Sequence, residues 1–294
     1  MTERTERAGA EPLPAPSPLD LAALEAGRTR LDGILRSLGR TLIAYSGGVD
    51  STLLLVQASR VLGADALGVI ADSPSLPRAE LSDALSAARE AGAAVRVVRT
   101  SELGRPAYRA NGADRCFHCK TELFETLGRI ARDEGWASIA YGAVTDDLGD
   151  VRPGMDAARD LGIRAPLLEA GLGKREVRAM ARRLGLRAWD KPQAACLASR
   201  IPHGTEVTGE RLLRVERAEG WLRGEYGLRV LRVRISGDGA RIEVAPPDIG
   251  RLSRPEELAR ISFELKSLGF SFVTVDPEGY RRRPAGPEPG REGF

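Results

Sequence analysis

Six consecutive residues, Ser46-Gly47-Gly48-Val49-Asp50-Ser51, bring together two hydroxyls, two glycines and an acid. An apolar run of strand length, Leu42-Ile43-Ala44-Tyr45, precedes them, and residues 52–62 have the Leu, Val and Ala content of a buried helix. Glycines at a strand-to-helix junction let backbone N–H groups approach an anion, and the helix N-terminus beyond adds partial positive charge. The stretch reads as a phosphate cradle. Sulfur supplies the second chemistry: Cys116 and Cys119 stand two residues apart, and Cys196 lies just beyond a proline, followed by Ser199 and Arg200. A thiolate is both nucleophile and metal ligand. His118 lies between the first two cysteines and His203 near the third, so a zinc site is one reading of the set. Arg115 and Lys120 flank the pair, which rules against an apolar core stripe.

The elements around these residues must hold them. After the first helix, the apolar segment Ala66 to Ser73 reads as a strand, residues 78–92 as a helix, and Ala94 to Thr100 as another strand. The stretch "ELFETLGRIARDEG" is helical and "SIAYGAV" strand-like. Such alternation predicts a parallel sheet covered on both faces, with ligands at the C-terminal strand ends, where Ser46, Asp72 and Gly142 emerge. An amphipathic helix, "LGKREVRAMARRLGL", puts Val177, Met180, Ala181 and Leu184 on one face. From Cys196 the pattern becomes α-β-β-α-β. In "LRVLRVRIS" the alternation places Leu231, Val233 and Ile235 on one face, with Arg232 and Arg234 side by side on the other. Ser236-Gly237-Asp238-Gly239 reads as a hairpin turn. The expected layout is a leader at 1–18, an α/β domain at 19–195, a smaller α+β domain at 196–281 and a tail at 282–294.

Composition excludes several classes. Hydrophobic content of 42% and charged content of 29% are ordinary for a globular chain of 294 residues. No apolar run approaches a membrane span, and the first twenty residues lack the apolar core of a secretory signal, so a cytoplasmic location is expected. Three cysteines in such a chain argue against a disulfide framework. A net charge of +3 is too small for a pronounced nucleic-acid face, and no nucleic-acid or membrane partner is expected. Between Gly173 and Arg234, however, fifteen Lys and Arg face seven Asp and Glu. This excess suits either a solvated surface or a pocket for a phosphorylated small molecule.

The segment from Ser46 to Ser51 resembles the Ser-Gly-Gly-x-Asp-Ser signature of the PP-loop ATP pyrophosphatases, which split ATP into AMP and pyrophosphate. No lysine follows the second glycine, so the segment does not fit the other common phosphate-binding loop. The cysteines narrow the resemblance. "GADRCFHCKTELF", "YGAVTDDLGDVRPGMDAA", "LGKREVRAMARRLGLRAWDKP", "VLRVRISGDGARIEV" and above all Cys196-Leu197-Ala198-Ser199-Arg200-Ile201-Pro202 resemble the ATP-dependent sulfur transferases of the LarE type. The likeness runs from about Leu31 to Arg281.

That family sulfurises a pyridinium mononucleotide on the way to a nickel-pincer cofactor. The resemblance implies that Ser46, Gly47, Gly48, Asp50 and Ser51, with Asp72 and Gly142, bind ATP, with Mg²⁺ offsetting phosphate repulsion. Adenylation of a substrate carboxylate precedes attack by sulfur. Arg232 and Arg234 would grip the substrate phosphate or its second carboxylate. Arg200 would sit beside the sulfur chemistry, and Glu216 or Glu219 would serve as acid or base. In one branch of the family the cysteine matching Cys196 surrenders its own sulfur and remains as dehydroalanine. In another, three cysteines hold a [4Fe-4S] cluster whose open iron carries the sulfide. The count here favours a cluster on Cys116, Cys119 and Cys196, with a sacrificial Cys196, zinc, or a catalytic disulfide as alternatives. A homo-oligomer is expected. The rivals are a tRNA thiolase, which needs a basic RNA face, and an amide-forming ligase of the NAD or GMP synthetase kind, in which the cysteines are incidental.

Overall fold

A computed structural model describes residues 18–149, 153–192 and 195–281. The expected leader, apart from Pro18, and the expected tail lie outside these residues. The first helix, α1 (Pro18–Leu38), was not read from the sequence; it buries Leu24, Leu31, Leu35 and Leu38 along one face. It packs on α2 (Val49–Leu62), which follows β1 (Thr41–Ala44). Next come β2 (Ala66–Asp72), α3 (Arg78–Glu90), β3 (Val95–Arg99), the short α4 (Pro106–Arg109), α5 (Arg115–Glu134) and β4 (Ser138–Tyr141). Three helices complete this part of the chain: α6 (Pro153–Asp160), α7 (Pro166–Glu169) and α8 (Lys174–Arg183).

The four strands form one parallel sheet in the order β3-β2-β1-β4, with Thr41 level with Ala66 on one side and Ser138 on the other. Every residue of β1 is buried, as a central strand covered on both faces must be. Ile43 turns toward the core shared with α1, α2 and α8, whereas Leu42 and Ala44 join Phe124 and Leu127 of α5. The strand order reverses between β1 and β4, so the crevice at their C-terminal ends is the place where such a sheet takes a ligand.

The second unit comprises α9 (Gly209–Tyr226), β5 (Leu231–Ser236), β6 (Gly239–Val244), α10 (Pro246–Leu252), α11 (Pro255–Ser267) and β7 (Val273–Val275). Its sheet runs β5-β6-β7, antiparallel then parallel. Ser236 pairs with Gly239 across a two-residue turn, and Gly237 takes the positive φ of 54° that its first central position needs. Leu231, Val233 and Ile235 are buried as the alternation predicts. This second core also takes in Tyr108 of α4, with Leu103 and Cys119 against it, so the first half of the chain reaches into it. The chain is thus an α/β parallel-sheet domain of the PP-loop type followed by a smaller α+β domain. Among the described residues, no helix is long and apolar enough to cross a membrane.

Candidate active site

The glycine-rich segment joins β1 to α2 at the strand-order switch. Gly47 adopts φ +73°, and a Cβ there would lie 2.5 Å from that of Ala84, so only glycine fits. Gly48 is the N-cap of α2 and no side chain caps that end, which leaves its first-turn donors facing the crevice. Ser51 Oγ lies 3.0 Å from Ser46 Oγ, accepts from the Ser46 amide at 3.2 Å and donates to Gly48 O at 3.2 Å. These bonds close the loop into a ring. Gly142 lets β4 approach it, since a Cβ there would stand 2.8 Å from the Ser51 amide nitrogen.

Asp50 Oδ2 pairs with the ammonium of Lys174, a residue the sequence reading passed over. Lys174 opens α8, an end where the helix dipole disfavours a cation, and that misplacement was the available signal. Its backbone amide donates to Asp146 Oδ2 at 2.8 Å. Asp50 Oδ1 is buried and has no hydrogen-bond partner among the described residues, which leaves a hard oxygen atom open at the start of α2. Such an atom fits Mg²⁺.

Asp72, at the end of β2, is paired with Arg78, whose Nη2 also donates to Ser73 O and Leu76 O, each at 2.7 Å. Glu216 Oε1 accepts from the Arg78 amide at 2.6 Å. Glu216 therefore supplies an anion to the N-terminus of α3, where the expectation was an acid or base. Through this contact α9 holds the start of α3, beside the C-terminal end of β2.

Cys196 caps a short helical turn, Leu197–Arg200, whose first amide donates to Ser75 O at 2.8 Å. The sulfur turn is thus tied by its backbone to the segment after β2. Arg200 Nη1 donates to the carbonyls of Cys196 at 2.8 Å and Ala195 at 2.7 Å. Its Nε and Nη2 form a two-pronged pair with Glu219 at 2.8 and 3.1 Å. Glu219, 1% exposed, also accepts from Arg223 at 3.0 Å and from the Val233 amide at 3.0 Å. Burial raises the Glu219 pKa, but the Arg200 hydrogen bond and the charges of Arg200 and Arg223 outweigh it and hold the carboxyl below its ordinary value. Arg200 and Glu219 consequently form a buried clasp on the Cys196 turn. Four donor atoms, from Arg200, Arg223 and the Val233 amide, engage the Glu219 carboxylate and tie it to the Cys196 turn, where the expectation was an acid or base.

The paired arginines of β5 part company. Arg234 Nε lies 2.7 Å from Glu243, and its Nη1 donates to Ser199 O at 2.9 Å, so this cation is engaged by the fold. Arg232 forms no ion pair among the described residues; its guanidinium stacks 5.3 Å above the Tyr280 ring. Burial, then the charge of Arg200, lowers the pKa of Arg232. Arg200, Arg223 and Arg232 thus crowd a single carboxylate, Glu219, leaving this pocket electropositive.

Cys119 and Cys196 pack against the same core, and Cys116 is exposed on the same helix turn. Burial, then Cys196, pushes the Cys119 thiol up to about 12. Tyr108 adjoins both: burial, then the two cysteines' charges, raise its phenol pKa. Its hydroxyl lies 2.5 Å from Ser75 Oγ, which donates at 3.1 Å to buried Glu102. Ser73 also donates to Glu102, and Thr100 does so at 2.9 Å. None of these five residues was read as functional from the sequence, because hydroxyls after a strand also suit an ordinary loop.

Among the described residues, no three His, Cys, Asp or Glu side chains are grouped as ligands of one metal ion. His118 pairs with Asp114 at 3.0 Å and His203 faces Asn111 O at 3.2 Å, so the zinc reading finds no ligand set. A four-iron cluster makes a different demand: each thiolate takes its own iron, so the sulfurs need not converge on one point. Three free thiols, with Cys119 and Cys196 against one core and Cys116 on the same helix as Cys119, fit that donor chemistry.

No family model matches the chain. Among proteins with which it was compared, an uncharacterized protein of Synechocystis sp. is 44% identical over 258 residues, 88% of this chain and 96% of that one. The pyridinium-3,5-bisthiocarboxylic acid mononucleotide synthase of Lactiplantibacillus plantarum is 36% identical over 262 residues, 89% of this chain and 94% of that one. An uncharacterized protein of Methanocaldococcus jannaschii is 27% identical over 242 residues, 82% of this chain and 91% of that one.

Proposed function

Because the chain belongs to the family of the pyridinium-3,5-bisthiocarboxylic acid mononucleotide synthases, the LarE-type sulfur transferases, we propose that it is an ATP-dependent enzyme that converts carboxylates of a pyridinium-3,5-biscarboxylic acid mononucleotide to thiocarboxylates. A carboxylate oxygen of the acceptor attacks the α-phosphorus of ATP, pyrophosphate leaves, and an acyl-adenylate forms. A sulfur nucleophile then adds to the acyl carbon and AMP departs with the acceptor's oxygen.

The residues divide this work. The ring from Ser46 to Ser51 and the open end of α2 hold the β- and γ-phosphates, and Gly142 lets β4 close on them. Asp50 and Lys174 stand where pyrophosphate develops charge. Asp50 Oδ1 would hold Mg²⁺, which would supply charge neutralisation there. Arg232 is the cation left to face the acceptor's phosphate or second carboxylate. Arg200 and Glu219 fix the Cys196 turn.

The sulfur leaves from this site by one of two routes. Either the Cys196 thiolate forms a thioester with the acyl carbon, and loss of its α-proton then breaks the Cβ–S bond, leaving dehydroalanine. Or Cys116, Cys119 and Cys196 would hold a [4Fe-4S] cluster, which would supply the sulfide. The observation that carries the proposal is the backbone bond from Leu197 to Ser75, which ties the thiol turn to the segment that follows β2, the strand beside β1.

The test is oxygen-free incubation of the purified protein with ATP, magnesium and the mononucleotide, comparing wild type with Cys196→Ser. Wild type yields thiolated product and the variant yields none; product from the variant at the wild-type rate defeats the proposal. Chain mass separates the routes. Loss of one sulfur per turnover marks Cys196 as the donor, and an unchanged mass with about four irons per chain marks the cluster.

A further inference from the structure

The helix turn that carries Cys116 and Cys119 and the turn that carries Cys196 are far apart in sequence, and one buried pair of side chains sutures them. Asn111 is the only described non-glycine residue with a positive φ, 57°, and it is fully buried. Its Nδ2 donates toward the carbonyls of Pro202 at 2.7 Å, Thr205 at 2.9 Å and Ile201 at 3.3 Å. An amide nitrogen has two hydrogens, so three carbonyls share them. Its Oδ1 accepts from Arg115 Nη1 at 2.5 Å, and that same nitrogen donates to Ala198 O at 3.0 Å. The Asn111 carbonyl accepts from the Gly204 amide at 3.1 Å, and the Arg109 carbonyl from the Val207 amide at 2.8 Å. Arg115 opens α5 immediately before Cys116, and Ala198 lies two residues after Cys196. A left-handed asparagine is strained and persists where its surroundings over-determine it. Here those surroundings are the backbone of the Cys196 segment.

We propose that Asn111 and Arg115 are positioning residues that set the Cys196 turn against Cys119 and thereby govern sulfur delivery, without part in nucleotide binding. This rests on the functional reading above. Neither residue contacts the cradle from Ser46 to Ser51, so adenylation and sulfur transfer respond separately to their loss. Misplacing a nucleophile by about an ångström costs roughly a hundredfold in rate.

The test uses Asn111→Gly, which keeps the left-handed backbone free of strain and removes only the amide, alongside Arg115→Lys. Both variants are compared with wild type in pyrophosphate release, thiolated product and backbone hydrogen exchange. The expected result is near-normal pyrophosphate release and KM for ATP, with thiolation slowed roughly ten- to a hundredfold. The ratio of pyrophosphate to product rises, and exchange quickens in residues 195–207 but not in 46–62. A general loss of stability would lower both half-reactions together. Equal losses in both, or an unchanged ratio in both folded variants, overturns the proposal. Wild type that neither releases pyrophosphate nor thiolates the acceptor would defeat the functional reading instead, and the exchange pattern then decides the clamp: no local quickening overturns it.

Discussion

Lys174 and Asp50 meet across two elements at the mouth of the phosphate cradle. An ammonium released from this pair on nucleotide binding has the phosphates as its new partner. A charge-assisted hydrogen bond contributes about 1.5–3 kcal/mol, so Lys174→Ala should raise the KM for ATP roughly ten- to a hundredfold. Pyrophosphate release measured against ATP concentration checks this, and an unchanged KM would remove Lys174 from the site. The two β5 arginines make a second contrast. Arg232→Ala should raise the KM for the mononucleotide and leave that for ATP alone, because its guanidinium forms no ion pair among the described residues. Arg234→Ala should instead lower the unfolding temperature, because it takes a cation from buried Glu243 and a donor from the Ser199 carbonyl. If the two variants behave alike in both measurements, the division between them is wrong. The strand alternation made their shared face readable, whereas Glu243 and Ser199, which occupy Arg234, come from other elements and left no mark in the local sequence.

At the scale of elements, Glu219 joins α9 to β5 and to the turn after Cys196. Its folded-state pKa lies below its unfolded value, so its contribution to stability is complete above about pH 4.5 and is lost as pH falls through the folded value. Glu219→Gln should therefore flatten the acid limb of a stability-against-pH curve while lowering stability at neutral pH by about 3–5 kcal/mol, the cost of stranding a buried partner. Chemical denaturation between pH 3 and 7, a range set by roughly ordinary carboxyl titration, reads both effects. Parallel acid limbs in the two proteins would contradict them. The elements themselves were largely legible. Period-two alternation marked β5, short apolar runs marked the parallel strands, and glycine marked the turn at 237. The first helix was missed because Pro, Ala and Glu around its start read as an unstructured leader. The contact of Glu216 with the Arg78 amide was not readable, because the two lie 138 positions apart.

For the whole molecule, the segment from Asp72 to Arg78 is the junction between the two chemistries. It carries a strand-end acid on the nucleotide side, accepts the Leu197 amide from the sulfur side and is capped by α9. The motif from Ser46 to Ser51 and the stretch around Cys196 announced the two halves, since each depends on local residue types. The clasp of Arg200 and Glu219, the suture of Asn111 and Arg115, and the hydroxyl chain at Tyr108 were not legible, because each is assembled from distant segments after folding. The central claim is that the nucleotide activates a carboxylate oxygen for departure and sulfur takes its place. Acceptor labelled with heavy oxygen in its carboxylates, incubated with the protein, ATP and magnesium without oxygen gas, tests this directly by mass spectrometry of the AMP. The account predicts one heavy oxygen in each AMP and one thiocarboxylate for each labelled AMP; unlabelled AMP beside thiolated product, or neither species, would contradict it.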